Sequence, residues 1–545
     1  MARIGIDVGG THTDGVLIDN NTIVKKTKVL TTHNNLQKSI EEVIDELLKN
    51  YSTEKIKKIT LSTTLTTNLI LEKKLPATGL IISGGPGIAL ENFKKDEFTF
   101  IIDGAIDHRG RILKDINLKD IETIIDSLLI NDIETVAICT KFSIRNPVHE
   151  KVIKERMDTK FDNVTTGHSL SGNLSFPRRI NTAYLNAATY KKNKEFLDHL
   201  KNFLKNSNIN ADIFILKADG GTIKIEEALE KPIYTILSGS AAGIIGVMSV
   251  LDITEEFAAV IDIGGTSSDF SFFYNGLPLF EPDGIKIGEE LTLVRAMYSH
   301  SLGIGGDSFV REDSGNIKIG PERKGVAIAF GGEFLTPTDF IFYKNNIDSP
   351  YFEKLEKQIV QMADKLKISP MELTEKVLIN FSNRLDNFLK NLIDEINNRP
   401  IYTIKEFLGY KEFKVKKIYL MGAPAKNFKD VITDYLDYEI EVVPYYDVIN
   451  AVGTAVSKQT KEITLFADTA VNKLTIPEID FFTNIDSNFS IDNCHSVLAD
   501  KFGKEEYEIV EEMIFNIISG FYKIGKTFRI KAQTKPGAEI ILKSI

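Results

Sequence analysis

The chain has 545 residues, 43% of them hydrophobic and 26% charged, with a net charge of −10 and two cysteines, Cys139 and Cys494. That length exceeds one ordinary core and predicts two or more domains. The acidic balance argues against a nucleic-acid or anionic-membrane partner, and two cysteines exclude a disulfide framework or a Cys-rich metal site. A strand-like segment follows Met1 directly, without a signal sequence, and no run of about 18 apolar residues comes later. The expectation is a soluble, cytoplasmic protein of several domains.

Strand-like and helix-like patterns then alternate, which predicts an α/β fold. "IGIDVGG", "TDGVLID" and "TIVKKTKVL" read as a strand meander, and Leu36–Asn50 as an amphipathic helix. "KITLSTTLTTNLILEKK" leads from a strand through a Thr-rich turn into a helix, while "ATGLIIS" and "TVAICTKFS" are short runs of buried-strand type. Helical spacing spans Asn181–Asn206, and "ADIFILKADGG" returns to strand and turn. The small residues of "SGSAAGIIG" (Ser238–Gly246) open a helix suited to close packing on a strand, or to offering its N-terminal dipole to an anion. A second strand, Gly-Gly turn and strand follow, then helices, "VKKIYLMGAPAKNF" and "NAVGTAVSK". Residues 461–545 read as an appended strand-and-helix segment, with an apolar helix face across Glu505–Ile524. No Pro- or Ser-rich linker marks the joints. The expected divisions are 1–190, 191–460 and 461–545.

The chemistry concentrates in a repeated turn. Asp7-Val-Gly-Gly-Thr11 and Asp262-Ile-Gly-Gly-Thr266 share D-x-G-G-T and lie 255 residues apart, too far for a solenoid repeat and fitting for two similar halves. Glycines at such a turn leave backbone N–H groups uncovered for an oxyanion. Thr11 and Thr13, or Thr266, Ser267 and Ser268, add hydroxyl donors. The preceding acid suits Mg²⁺, a hard cation that prefers oxygen ligands around phosphates. One copy alone reads equally well as a hairpin with solvated tips; two copies favour a phosphate site. There is no G-x-x-x-x-G-K-[ST] loop, no Rossmann fingerprint and no nucleophile elbow at Ser240.

Together "RIGIDVGGTHTDGVLID", "STTLTTNLILEKK", "FSIRNPVHE", "ADGGTIKIEEALEKPIYTILSGSAAGIIG" and "VIDIGGTSSDFSFF" resemble the hydantoinase A/5-oxoprolinase family of the actin-like ATPase superfamily, in order from about Arg3 to about Ser457. The resemblance implies two actin-like (ribonuclease H-like) ATPase lobes with a nucleotide cleft between them, plus a small C-terminal α+β segment. It also implies ATP and Mg²⁺ as cofactors and a small cyclic amide, such as a hydantoin or 5-oxoproline, as substrate. Carried over by residue, Asp7, Gly9, Gly10, Thr11 and Thr13 fall on the first phosphate turn, and Asp262, Gly264, Gly265, Thr266 and Ser267 on the second. Asp7 and Asp262 are the metal candidates; with Thr11 and His300 they are also the catalytic candidates. Gly422 falls on the adenosine turn, and Thr63, Thr64 and Asn68 fall near the cleft. Four departures from the family pattern stand out: Asp307 in "GIGGDS" where the family has the third glycine of its run, Ser240 for a proline, Arg323 and Lys324 in "GPERKG", and Ala423-Pro424 in the adenosine turn.

The histidines show no metal-ligand spacing. His12 lies within the first turn as a phosphate contact or an exposed turn residue; His300 reads as a general base, a metal ligand or a structural histidine; Cys139 reads as strand packing. Three alternatives to cyclic amide hydrolysis remain: an ATPase switch or reactivating chaperone, an ATP-dependent carboxylase subunit, and a sugar kinase. The resemblance implies that the hydrolytic or carboxylating half is a second subunit or a fused second region; the segment after Ser457 is small for a further catalytic domain, so a second, hydantoinase B-like subunit is the partner the resemblance implies.

Overall fold

A computed structural model describes residues 2–32, 35–399, 411–535 and 537–542. The first sheet is built around β1 (Ala2–Val8), buried along its whole length, as a central strand covered on both faces must be. β2 (His12–Asp19) returns antiparallel to it, and β3 (Thr22–Leu30), the edge, alternates exposed and half-buried residues. Asn35 caps α1 (Leu36–Leu48), whose Ile40, Val43, Ile44 and Leu47 recur at three- and four-residue spacing and pack on the sheet. β4 (Ile56–Thr63) then joins β1 in parallel and delivers the chain to α2 (Leu65–Leu71).

The chain now leaves the sheet. Strands Gly79–Ser83, Thr99–Ile101, Thr135–Thr140 and Asn163–Thr166 form a separate, parallel four-stranded sheet with its own core. Cys139 lies buried on that sheet as expected of a packing residue, its thiol pushed up to about 12 by burial. The long α3 (Phe176–Asn206) brings the chain back to β5 (Asp212–Leu216), parallel to β4, and to β6 (Thr222–Lys224). A division at 190 would cut α3 and separate β5 and β6 from their own sheet. The inserted sheet displaces the fifth strand far along the sequence, which is why composition did not reveal it.

α4 (Ser238–Val250) leads into a second copy of the arrangement. β7 (Phe257–Ile263), β8 (Ser268–Tyr274) and β9 (Leu277–Pro278) run as an antiparallel meander, and β10 (Ser299–Leu302) also pairs with β8. After α5 (Pro370–Asn397), β11 (Lys417–Met421) adds in parallel to β7 and β12 (Glu439–Val442) to β11. The spatial orders β3-β2-β1-β4-β5 and β9-β8-β7-β11-β12 coincide, with the same strand senses. Each lobe is therefore a ribonuclease H-like sheet, and the pair is the actin-like architecture.

α4 and α6 (Ile449–Val456) fill the space between the lobes. Val16 and Ile18 of the first sheet, Val260 and Phe273 of the second, and both helices share one core. The helices touch backbone to backbone: a Cβ on Gly453 would stand 1.8 Å from the carbonyl oxygen of Ala242, and one on Gly246 2.4 Å from that of Ile449. The small residues of "SGSAAGIIG" thus serve close packing on α6 more than on a strand.

The C-terminal segment is an antiparallel sheet of β13 (Glu462–Asp468), β14 (Lys473–Ile476), β15 (Phe481–Asn484), β16 (Tyr507–Ser519) and β17 (Tyr522–Thr534), in the order β15-β14-β13-β17-β16. α7 (Ile491–Phe502) packs on it through Cys494, Leu498 and Phe502. The helix expected across Glu505–Ile524 is instead a β-hairpin turning at Gly520, whose φ is 61°. The register shift at Ile509/Glu511 leaves Val510 as an extra residue that interrupts the two-residue alternation of β16, and the one at Ile517/Ile518 leaves Ile524 extra on β17. The Ile-, Val- and Phe-rich composition decides for strand. No helix among the described residues is long and apolar enough to cross a membrane.

Gly453→Val is expected to cost about 1–3 kcal/mol by forcing the two central helices apart. The cost is read as a lower urea midpoint at unchanged slope; an unaltered midpoint would show that the helices part freely.

Candidate functional site

The two β-hairpins present the same atoms. In the first, Asp7, one residue before the end of β1, stands opposite Asp14 on β2, and the Gly9 N–H donates to the His12 carbonyl at 3.0 Å. In the second, Asp262 on β7 stands opposite Asp269 on β8, and the Gly264 N–H donates to the Ser267 carbonyl at 2.9 Å. The full repeat is therefore D-x-G-G-T-x-x-D, 7–14 and 262–269. Its last acid, Asp14 or Asp269, escaped the sequence reading, although the equal spacing signals it.

A cavity of about 280 Å³ separates the turns and is lined by Asp7, Gly9, Gly10, Thr11, Asp262, Gly264, Gly265, Thr266, Ser267 and Gly422. Thr13 is not among them. Its buried hydroxyl meets that of Thr31 at 3.0 Å, and Thr31 donates to the Gly9 carbonyl at 2.8 Å, so Thr13 braces the turn from behind. His300 is also elsewhere, beside the adjoining cavity of about 770 Å³, its Nε2 3.1 Å from Glu281 Oε1. Thr63, Thr64, Ser240 and Asp269 line that second cavity, and Asp7, Gly9, Gly10, Ser267 and Asn450 border both. Asn68 bonds back to Thr64 at 3.4 Å. A separate cavity of about 330 Å³ lies away from the turns, where the first lobe, the Leu293–Arg295 segment of the second and the C-terminal sheet meet; ion pairs such as Lys217–Asp219 (3.0 Å) and Arg295–Glu462 (3.1 Å) line it.

Burial dominates the electrostatics of the first cavity. It raises the carboxyls of Asp7, Asp14 and Asp262; Asp14 reaches about 6 despite Lys28 at 2.7 Å, and Asp262 reaches about 7, with the charge of Asp269 adding to the rise. Ser62 and Asn450 offset only part of the rise at Asp7. Asp7 Oδ1 and Asp14 Oδ1 are buried without a hydrogen-bond partner among the described residues, whereas Asp262 Oδ2 accepts from Asn450 Nδ2 at 3.2 Å. Burial, then the charges of Lys28 and Arg323, hold His12 below its ordinary range. Uncompensated oxygens of this kind fit a hard divalent cation. No group of three His, Cys, Asp or Glu side chains placed to hold a metal occurs among the described residues. Mg²⁺ here would take one or two carboxylates and complete its shell with water and phosphate oxygens.

Two local features shape the second turn. Gly422 has φ 92°, and a Cβ there would stand 2.4 Å from Asp262 Oδ1, so only glycine leaves that carboxylate its place. The loop Gly305–Ser308 supports the turn from outside, with N–H groups of Gly306 and Asp307 donating to the carbonyls of Gly264 and Gly265 at 2.9 and 2.7 Å. Asp307 and Arg323, two of the departures noted above, pair with each other at 2.9 Å. They compensate as a unit.

Comparison with known proteins decides the family. Residues 3–161 match the hydantoinase/oxoprolinase N-terminal region, and residues 179–463, more than half of the chain, match hydantoinase/oxoprolinase. The chain belongs to the hydantoinase/oxoprolinase family. It is 22% identical over 414 residues to 5-oxoprolinase of Saccharomyces cerevisiae, covering 71% of this chain and 32% of that protein. It is 24% identical over 379 residues to caprolactamase subunit alpha of Pseudomonas jessenii, covering 62% and 53%. The chain spans 62% or less of the length of the curated relatives it matches. In fold it resembles the ATP-dependent caprolactamase of the same bacterium (TM-score 0.70, 16% identity, 99% of this chain and 88% of that one). Nucleotide-free acetone carboxylase is similar in fold as well (TM-score 0.67, 17% identity, 100% and 88%).

For this hydantoinase/oxoprolinase chain the raised Asp262 carboxyl carries a pH signature. The folded state holds that proton to higher pH than the unfolded chain, so the group lowers stability as pH climbs from the ordinary carboxylate range towards about 7 and stays unfavourable above it. Asp262→Asn is expected to raise the melting temperature of the ligand-free protein more at about pH 8 than at about pH 5. A carboxylate that held Mg²⁺ against ATP would make the same variant lose about 100-fold or more in ATP turnover. Parent-like turnover in both Asp262→Asn and Asp7→Asn would show that these carboxylates hold no such metal.

Proposed function

We propose that the chain binds Mg-ATP between its lobes and phosphorylates the carbonyl oxygen of a cyclic amide, such as a hydantoin or 5-oxoproline, for ring opening. The observation that carries this reading is the pair of D-x-G-G-T-x-x-D hairpins facing one cavity that continues past Asp7 into a second. The first cavity suits phosphates. Main-chain N–H groups of Gly10, Thr11, Gly265 and Thr266 and the hydroxyls of Thr11, Thr266 and Ser267 are the donors, and Asp7 and Asp262 are the carboxylates for Mg²⁺. The metal, when bound, supplies charge neutralisation between the phosphates. Gly422 beside Asp262 gives the nucleoside a close approach.

The second cavity suits the acceptor. Amide resonance makes the carbonyl carbon a poor target for water, whereas transfer of a phosphoryl group to the oxygen, with loss of the N–H proton, leaves an electrophilic carbon and a good leaving group. The chain's own task is to align acceptor oxygen and phosphate and to hold water away. Thr63, Thr64 and Ser240 offer hydroxyls to an amide, and Glu281 orients the His300 ring within the same cavity. Relatives named 5-oxoprolinase and caprolactamase support a cyclic amide, and acetone carboxylase keeps a ketone acceptor as the second reading. Because one of these relatives is a subunit alpha, we assign ring hydrolysis to a second chain of hydantoinase B type.

The test is ATP hydrolysis by the purified chain with and without hydantoin, 5-oxoproline, caprolactam or acetone. Stimulation by a cyclic amide is expected. His300→Ala should reduce the stimulated rate by about 100-fold or more while leaving nucleotide affinity unchanged. Stimulation by acetone alone would favour the carboxylase reading, and stimulation only by a partner protein an ATPase switch.

A further inference from the structure

The β16–β17 hairpin is longer than the sheet that carries it. β13 accompanies β17 only from Gln533 to Thr527, where Phe515 is the opposite residue on β16. Thr469 still bonds to Lys526, its N–H donating to the Lys526 carbonyl at 3.0 Å, and Ala470 packs against Gly525; beyond Gly525 the hairpin projects as two strands alone, an arrangement of marginal stability in water. Both of its faces are open: Phe515 is 60% exposed, Ile518 66%, Tyr522 78% and Phe521 fully. Nine large apolar side chains between Ile509 and Ile524 are exposed. Together they offer on the order of 1,000 Å² of surface, divided between the two faces, where a standard interface takes roughly 800 Å² from each partner. Apolar surface this extensive marks an interaction site.

β16 is also an edge strand of thirteen residues, bonded among the described residues to β17 alone. Its stretch from Met513 to Ser519 has no charged residue, the usual protection of an edge. The acids just before it, Glu511 and Glu512, pair within the chain with Arg529 and His495. Further charges lie at the ends: Lys504, Glu505, Glu506 and Glu508 at the base, acidic on balance, and Lys523 and Lys526 towards the tip. An antiparallel partner copy centred on Met513, the middle residue of β16, would bring its basic tip beside this acidic base, and the reverse by symmetry. The edge is thus complementary to itself in hydrogen bonding, apolar surface and charge, as an isologous contact requires.

We propose that the arm is a homodimer interface, with β16 of one chain pairing antiparallel with β16 of a second copy about a two-fold axis near Met513. Sedimentation of the full chain from about 1 to 50 µM is expected to show a dimer. The double variant Ile518→Glu, Phe521→Ser is expected to be monomeric, with circular dichroism and nucleotide binding unchanged because both side chains lie outside the cores. Met513→Cys should form a disulfide-linked dimer under mild oxidation, since the native Cys139 and Cys494 are buried. A monomeric parent at the highest concentration, a dimer that survives the arm variant, or failure of the Met513→Cys variant to cross-link would overturn the proposal. So would a monomer whose arm binds only a different protein.

Discussion

Four carboxylates, Asp7 and Asp14 from one lobe and Asp262 and Asp269 from the other, stand at the ends of two hairpins around the cleft. Burial raises all four, and Asp262 also feels the charges of Asp269 and Asp7, so the lobes are coupled electrostatically across the gap. Keeping such groups out of water is unfavourable unless something positive joins them. Lys28 meets Asp14, and Asn450 meets Asp262, but Asp7 Oδ1 has no hydrogen-bond partner among the described residues. Packing elsewhere around the cleft offsets that local cost.

That packing is carried by α4 and α6. Their glycines let the helices approach backbone to backbone, and the shared core joins β2 of one sheet to β7 and β8 of the other. The same two helices reach the site directly. Ser238 at the start of α4 bonds to Ser62 at 3.1 Å, and Asn450 in the first turn of α6 reaches Asp262. Core and site are therefore one mechanical unit, and a shift between the helices moves a side chain of the cleft.

Asp307 and Arg323 stand where the family pattern has small or different residues, yet their ion pair rests against the second turn without entering the cavity. The two D-x-G-G-T turns are intact in sequence, whereas the departures Ser240, Ala423 and Pro424 line the cavities beside them. Loops tolerate such exchange because their backbone is satisfied locally, whereas a hairpin whose carboxylates must meet others 255 residues away does not.

The sequence by itself determined the repeated turn, the central strands and the two-lobed fold, because glycine punctuation and continuous apolar runs are local signals. β1, α1 and β4 lie where their patterns place them. The two D-x-G-G-T turns and Gly422 were legible as well, and they line the first cavity. Only the tertiary structure decided the rest. Thr13 turned inward because strand alternation, not hydroxyl chemistry, sets its face, and Asn450 joined Asp262 through helix packing that no short motif encodes. The inserted sheet moved the fifth strand beyond the expected division at 190, and two register shifts interrupted the alternation of the C-terminal hairpin expected as a helix. In each case the deciding contact joins residues distant in sequence, or the deciding backbone irregularity is finer than a periodic pattern can register.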